Sequence, residues 1–147
     1  MYDDFNYIVT PSGCIVTKYT GKEKIVTIPK KINEHQVNEI GMYAFNENKS
    51  IEKVVIPEGV KQIGIYAFAG CSRLETLIVP KSLRKICHRA FLNCSSFEEI
   101  RFKGTEQQWG RVDKHASLSG AKVIFNEPSK LSEFLNDYKN MDEVRKE

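Results

Sequence analysis

Residues 56–80 read IPEGVKQIGIYAFAGCSRLETLIVP. The stretch opens and closes on the same device, an aliphatic residue followed by proline: Ile56-Pro57 and Val79-Pro80. Between them Val60, Ile63, Ala67, Phe68, Cys71, Leu74 and Leu77 are apolar or small. A step of 23 residues carries these positions onto the neighbouring sequence. Ala44-Phe45, Ala67-Phe68 and Ala90-Phe91 form one column, and Ile40, Ile63 and Ile86 another. Val37, Val60 and Leu83 follow, then Ile51, Leu74 and Phe97. Val54, Leu77, Ile100 and Val123 make a fifth column, with Ile56, Val79, Phe102 and Phe125 beside it. Asn48, Cys71 and Cys94 share one more. Chance does not align so many columns at one period.

A short repeat of this kind cannot bury its own apolar edge. It buries it by stacking on its neighbours, which makes a solenoid. The spacing Leu74-x-x-Leu77-x-Val79-Pro80 is the leucine-rich-repeat signature. Val26-Thr27-Ile28-Pro29 extends the register backward, with five extra residues absorbed by a loop around Asn33-Glu34-His35. About five rungs result. Each rung carries a short strand, such as Glu75–Val79. Alternation sends Leu77 and Val79 inward and Thr76 and Ile78 outward. The proline that follows cannot donate to a ladder and ends the strand. The Ile63-Gly64-x-x-Ala67-Phe68 stretch makes the return, for which a short helical turn is expected. The expected class is therefore an α/β solenoid.

These residues resemble the BspA-like leucine-rich-repeat family, whose repeat matches residues 56–80 almost throughout. Phe5 to Pro29 look like its N-terminal β-hairpin cap, with turns at Gly13 and Tyr19-Thr20-Gly21. Phe102-Lys103-Gly104-Thr105 with Trp109 looks like its terminal cap, in which Trp109 and Val112 would cover the last rung. The resemblance spans about residues 5–126. It implies a right-handed solenoid with a short parallel sheet on the concave face, and roles in adhesion or protein recognition. It offers no catalytic residues. Asn48 in place of Cys, and Cys87 in place of Gly, depart from the pattern.

Composition agrees with a globular domain. The chain has 147 residues, 41% apolar and 28% charged, with net charge +3. That is well short of the Lys/Arg density of a dedicated nucleic-acid binder. The chain divides into a solenoid with its caps, residues 1–126, and a tail, residues 127–147. The tail carries −2, so the solenoid carries +5. No apolar window is long enough to span a membrane. The first residues lack the pattern of a secretory signal. The expected location is cytoplasmic if the chain is complete, and the cell surface if it is a fragment of a longer exported protein.

The candidate site is the concave sheet face. One outward row is Thr27, Val55, Ile78, Arg101 and Ile124; the other is Ile25, Lys53, Thr76, Glu99 and Lys122. Rungs about 4.8 Å apart make this face roughly 20–25 Å tall. Ile25, Val55, Ile78 and Ile124 form an apolar stripe there, bordered by charge. Apolar centre and polar rim suit protein binding. The plainer account is that Val and Ile simply fit a sheet surface. A homodimer burying the stripe is a third reading.

Other chemistry is sparse. His35, His88 and His115 are scattered, with no Ser, Cys or carboxylate at triad spacing. Four cysteines form no zinc pattern. Cys71 and Cys94 are expected to stack in adjacent rungs as a thiol ladder serving loop backbone, and rung spacing also allows a disulfide. Cys14 is expected to be the exposed thiol. Lys61, Lys81, Arg84, Lys85 and Arg89 form the basic patch, read first as a solvated face and second as a nucleic-acid or nucleoprotein contact. In the tail, Ser129 is a candidate N-cap. Leu131, Phe134, Leu135, Tyr138 and Met141 recur at helical spacing behind it. This amphipathic helix either docks on the solenoid or meets a partner. The sequence thus points to a non-enzymatic protein-binding module, an intracellular inhibitor or adaptor, that needs no cofactor and no metal. Polyanion binding and surface adhesion are the alternatives.

Overall fold

The computed structural model of the chain describes residues 3–126. Five strands, one per rung, pair in parallel to form one sheet. They are β3 (Ile25–Thr27), β6 (Lys53–Val55), β8 (Thr76–Val79), β10 (Glu99–Phe102) and β12 (Lys122–Phe125). Alternation is as the sequence predicts: Leu77 and Val79 are fully buried, and Thr76 and Ile78 are half-buried on the outer face.

The return path builds a second sheet that sequence reading does not foresee. It runs through β2 (Gly13–Tyr19), β5 (His35–Ile40), β7 (Gln62–Ile63), β9 (Lys85–Ile86) and β11 (Asp113–Lys114), all parallel. Strand β1 (Phe5–Thr10) adds to β2 as an antiparallel hairpin. The column Ile40, Ile63, Ile86 faces inward from this sheet, opposite Val54, Leu77 and Ile100 from the other, in one continuous core.

The helical turn expected on the return is absent, and the backbone shows why. Tyr43, Tyr66 and Arg89 take φ of 60°, 57° and 56°, and four residues later Glu47, Gly70 and Asn93 take 62°, 75° and 60°. Two left-handed residues per rung interrupt any right-handed helix. Alternate N–H groups bond back within the turn, as Ala67 does to Gly64 O and Ala69 to Tyr66 O, and the ones between bond to the next rung. Phe45 N–H donates to the carbonyl of Ala67, and Phe68 N–H to that of Ala90, at 2.7 and 2.8 Å. The described residues hold one helix, α1 (Glu106–Trp109). The class is therefore a β-solenoid of about five turns rather than α/β, and the amphipathic helix expected in the tail lies outside the described residues.

The core is an aromatic column. Phe5, Tyr19, Phe45, Phe68 and Phe91 stack in sequence with centroids 4.8–5.8 Å apart. Phe97 continues it 4.9 Å from Phe91. Such offset aromatic pairs add to the gain from area buried. The five-residue insertion forms a hairpin between β4 (Lys31–Ile32) and β5, with Asn33 and Glu34 both at positive φ. Helix α1 starts at Thr105, whose side chain accepts from Gln108 N–H while the Gln108 side chain accepts from Thr105 N–H. At its far end Lys114 Nζ donates to the carbonyls of Trp109 and Val112. Trp109 and Val112 are buried, with Trp109 5.1 Å from Phe102. The chain then goes on to β11 and β12, so α1 sits inside the last turn.

Candidate functional site

Each rung contributes two outward side chains to the five-stranded sheet, and the register sets them in rows. Ile25, Lys53, Thr76, Glu99 and Lys122 are paired across successive strands, and so are Thr27, Val55, Ile78, Arg101 and Ile124. The two rows read from the sequence are thus brought together on one face. Their chemistry is less continuous than a stripe. Val55 and Ile78 lie side by side at the centre, half-buried. Arg101 stands between Ile78 and Ile124, and Ile25 lies at the far end, 65% exposed. Arg101 Nε donates to Glu99 Oε1 at 2.6 Å, which pairs the carboxylate on the face and leaves Lys53 and Lys122 as its remaining charges. The face presents a small apolar centre within a polar surround of Thr27, Thr76, Lys53 and the Arg101–Glu99 pair.

A feature that sequence reading missed borders it. Glu52, Glu75 and Glu98 enter the strands in successive rungs, their backbones bonded in series, Glu98 N–H to Glu75 O and Glu75 N–H to Glu52 O. The signal was present as a column at the 23-residue step. Arg73 shares a depression with Glu52 and Glu75, and Lys24 precedes Glu52 in the same series, so this border of the sheet is mixed in charge.

Four of the five basic residues gather around two adjoining hollows that share Arg84. Lys61, Arg84 and Lys85 line a shallow cleft of about 510 Å³ over the second sheet, with Thr10, Ser12, Asn38 and Glu39 among its other walls. Burial raises the carboxyl pKa of Glu39 there. Lys81 joins Arg84 and Arg111 in a neighbouring depression. One Arg84 nitrogen is held by the carbonyls of Lys81, Ser82 and Leu83. Arg89 points elsewhere: its guanidinium donates to the phenol of Tyr66 at 2.7 Å, and Tyr66 stacks on Tyr43 with centroids 5.0 Å apart.

Two further expectations are corrected. Cys14 is fully buried, donating to the carbonyl of His35, because the hairpin turns that face of β2 onto the core. The histidines are not all scattered: His88 and His115, on adjacent turns, have ring centroids 5.2 Å apart. All four cysteines are free thiols and buried. Among the described residues no group of three or more His, Cys, Asp or Glu side chains is placed to hold a metal ion. No described helix is long and apolar enough to cross a membrane.

Residues 18–112 match the family model for the BspA type leucine rich repeat region. The chain belongs to this family. Repeats of this type generally serve as protein-binding or adhesion modules. Solved bacterial leucine-rich-repeat structures share the fold. A leucine-rich-repeat protein of T. pallidum is 29% identical, with TM-score 0.67 over 85% of this chain and 63% of its own. A leucine-rich cell surface protein of Faecalibacterium prausnitzii is 25% identical, with TM-score 0.60 over 84% of this chain and 31% of its own. A leucine-rich-repeat protein of Bacteroides capillosus shares the fold at 21% identity, with TM-score 0.64 over 84% of this chain and 95% of its own. The chain therefore spans less than two thirds of the length of the first two. No curated protein matches it.

Proposed function

We propose that this protein is a non-enzymatic recognition module that binds another protein through the five-stranded sheet face, taken as the concave side of a right-handed solenoid. The observation that carries the reading is the Val55–Ile78 pair, set at the centre of the face by strand register, with Thr27 and Arg101 on either side in its row and Lys53 and Thr76 beside it in the other. A small apolar centre with a polar surround is the anatomy of a protein contact. The β1–β2 hairpin serves as the N-terminal cap, since its Phe5 and Tyr19 rings extend the aromatic column to its first end.

Adhesion is a special case of the same contact. It is supported by the likeness to the F. prausnitzii surface protein. A polyanion ligand is the competing reading, supported by the cleft that gathers Lys61, Arg84 and Lys85. Differential capture separates them. Wild type and a Val55→Lys/Ile78→Lys variant are used as bait at low and high salt. Both side chains point outward, so the variant keeps its fold. A partner held by wild type at both salts and lost by the variant supports the sheet face. Capture that ignores the variant and vanishes at high salt refutes it in favour of a polyanion.

A further inference from the structure

A hollow of about 200 Å³ lies between two adjacent turns of the coil. Lys81, Leu83 and Arg84 wall it from one turn, Gln108 and Arg111 from the next. Backbone bonds lock the two turns together: Asp113 N–H donates to Arg84 O at 2.9 Å, and β11 pairs with β9 in register. None of these five wall residues belongs to the five-stranded sheet, so the hollow stands apart from the face proposed for protein recognition.

Charge separates this hollow from its larger neighbour. The 510 Å³ cleft sets Lys61, Arg84 and Lys85 against Glu39 and Asp113, three cations to two carboxylates, a net +1. The smaller hollow has Lys81, Arg84 and Arg111 and no carboxylate among the described residues that line it, a net +3. Like charges gathered by the fold repel one another, and an anion between them turns that repulsion into attraction. The donors are also set in advance. One Arg84 Nη donates to the carbonyls of Lys81, Ser82 and Leu83 at 3.0, 2.9 and 3.2 Å. The guanidinium is thereby held to its turn, with Nε–H and the second Nη left to meet a ligand. Gln108 Oε1 accepts from Thr105 N–H at 2.9 Å, so its amide nitrogen is the end that can donate outward. Groups ordered before the ligand arrives lower the cost of binding it.

We infer that this hollow binds a tetrahedral oxyanion, the sulfate or phosphate group of a free ion or of an ester. A carboxylate presents two oxygens in one plane, which a single guanidinium fork satisfies. Here the donors come from both walls, Lys81 and Arg84 on one turn and Gln108 and Arg111 on the other. That arrangement suits oxygens directed to the corners of a tetrahedron.

The test follows the Gln108 side-chain amide and the Arg84 Nε–H by NMR in the full chain. Inorganic sulfate or phosphate replaces chloride at fixed ionic strength, so that screening stays constant. Both signals should move and saturate. Lys81→Gln/Arg111→Gln changes two exposed side chains and should raise the half-saturation concentration at least about tenfold. Lys18→Gln/Lys22→Gln, an equal loss of exposed charge near the start of the coil, should leave it unchanged. Signals that do not saturate with either ion overturn the inference. Equal weakening in the two double variants overturns it as well, since it would show attraction to net charge rather than to a site. Methyl sulfate and methyl phosphate tell the sources apart. Binding at least as tight as that of the free ions supports the site as one for an ester, and binding of the free ions alone supports it as one for the inorganic anion.

Discussion

The thiol of Cys94 donates to the carbonyl of Phe68, one rung back, at 3.0 Å, and Cys71 repeats the bond to Phe45 at the same distance. Asn48 takes over the role in the preceding rung, its amide donating to Gly21 O at 3.1 Å while its Oδ1 accepts from Ser50 and Ile51 N–H. The departure from Cys at Asn48 is therefore a substitution of one donor for another. In the two cysteine rungs the side chain adds a second bond to a carbonyl that already accepts from the backbone, Phe45 O from Asn48 N–H and Phe68 O from Cys71 N–H, and so fills its remaining lone pair in the core. Cysteine does this with little polarity; asparagine does it where further donors also need an acceptor.

This ladder makes stability depend on alkaline pH. Burial pushes the Cys71 thiol from 9.0 up to about 12 and that of Cys94 up to about 11. In the unfolded chain both ionise at their ordinary value, so above it the unfolded state holds fewer protons than the folded one. The contribution is fully present below about pH 9 and is lost as pH rises through 11 to 12. Urea midpoints should fall over that range more steeply for wild type than for Cys71→Ser/Cys94→Ser, which keeps a hydroxyl donor that does not titrate. Parallel pH profiles for the two proteins would contradict this.

The aromatic column predicts where truncation costs most. Phe68 is fully buried, with Phe45 4.8 Å from it and Phe91 5.8 Å on the other side. Rings on both sides keep the space from collapsing. Phe68→Ala should lower stability by about 3–5 kcal/mol, read as a drop in the denaturant midpoint. Phe5→Ala, at the end of the column and next to one ring of it, should cost less. Equal losses would show that the column does not act as a continuous core.

Much of this fold was legible because a repeat tests each position several times. The 23-residue step fixes the inward columns, and strand alternation then fixes Val55, Ile78 and the two outward rows. The second sheet was not legible: its strands at Gln62–Ile63 and Lys85–Ile86 are two residues long, too short to show alternation. The expected helical turn on the return fails because the positive φ at Tyr66 and Arg89 leaves no mark in residue type. Cys14 was misplaced for a related reason. Its burial is set by which way the hairpin folds over the first turn, a tertiary fact with no local signal. The candidate face divides the same way: residue placement, including Arg101 between Ile78 and Ile124, follows from period and alternation, but the pairing of Arg101 with Glu99 depends on side-chain geometry.

The inserted hairpin offers a gain of stability. Asn33 and Glu34 take φ of 47° and 70° in a two-residue turn, the conformation that favours Asn followed by Gly. Asn33 suits its place, and its side-chain amide donates to the phenol oxygen of Tyr7 in the β1 strand. Glu34 does not: it carries a Cβ in the left-handed region, a cost of about 1–2 kcal/mol. Glycine removes that cost but widens the unfolded ensemble, which offsets part of it. Glu34 makes no side-chain hydrogen bond or ion pair among the described residues that the change would lose. Glu34→Gly should therefore raise stability by about 0.5–1 kcal/mol, seen as a higher urea midpoint with unchanged slope. Asn33→Val should lower it, since a β-branched residue tolerates positive φ poorly and the link to Tyr7 goes with the amide. A loss of stability in Glu34→Gly would mean that the Asn33–Glu34 turn is not the strained element in this hairpin.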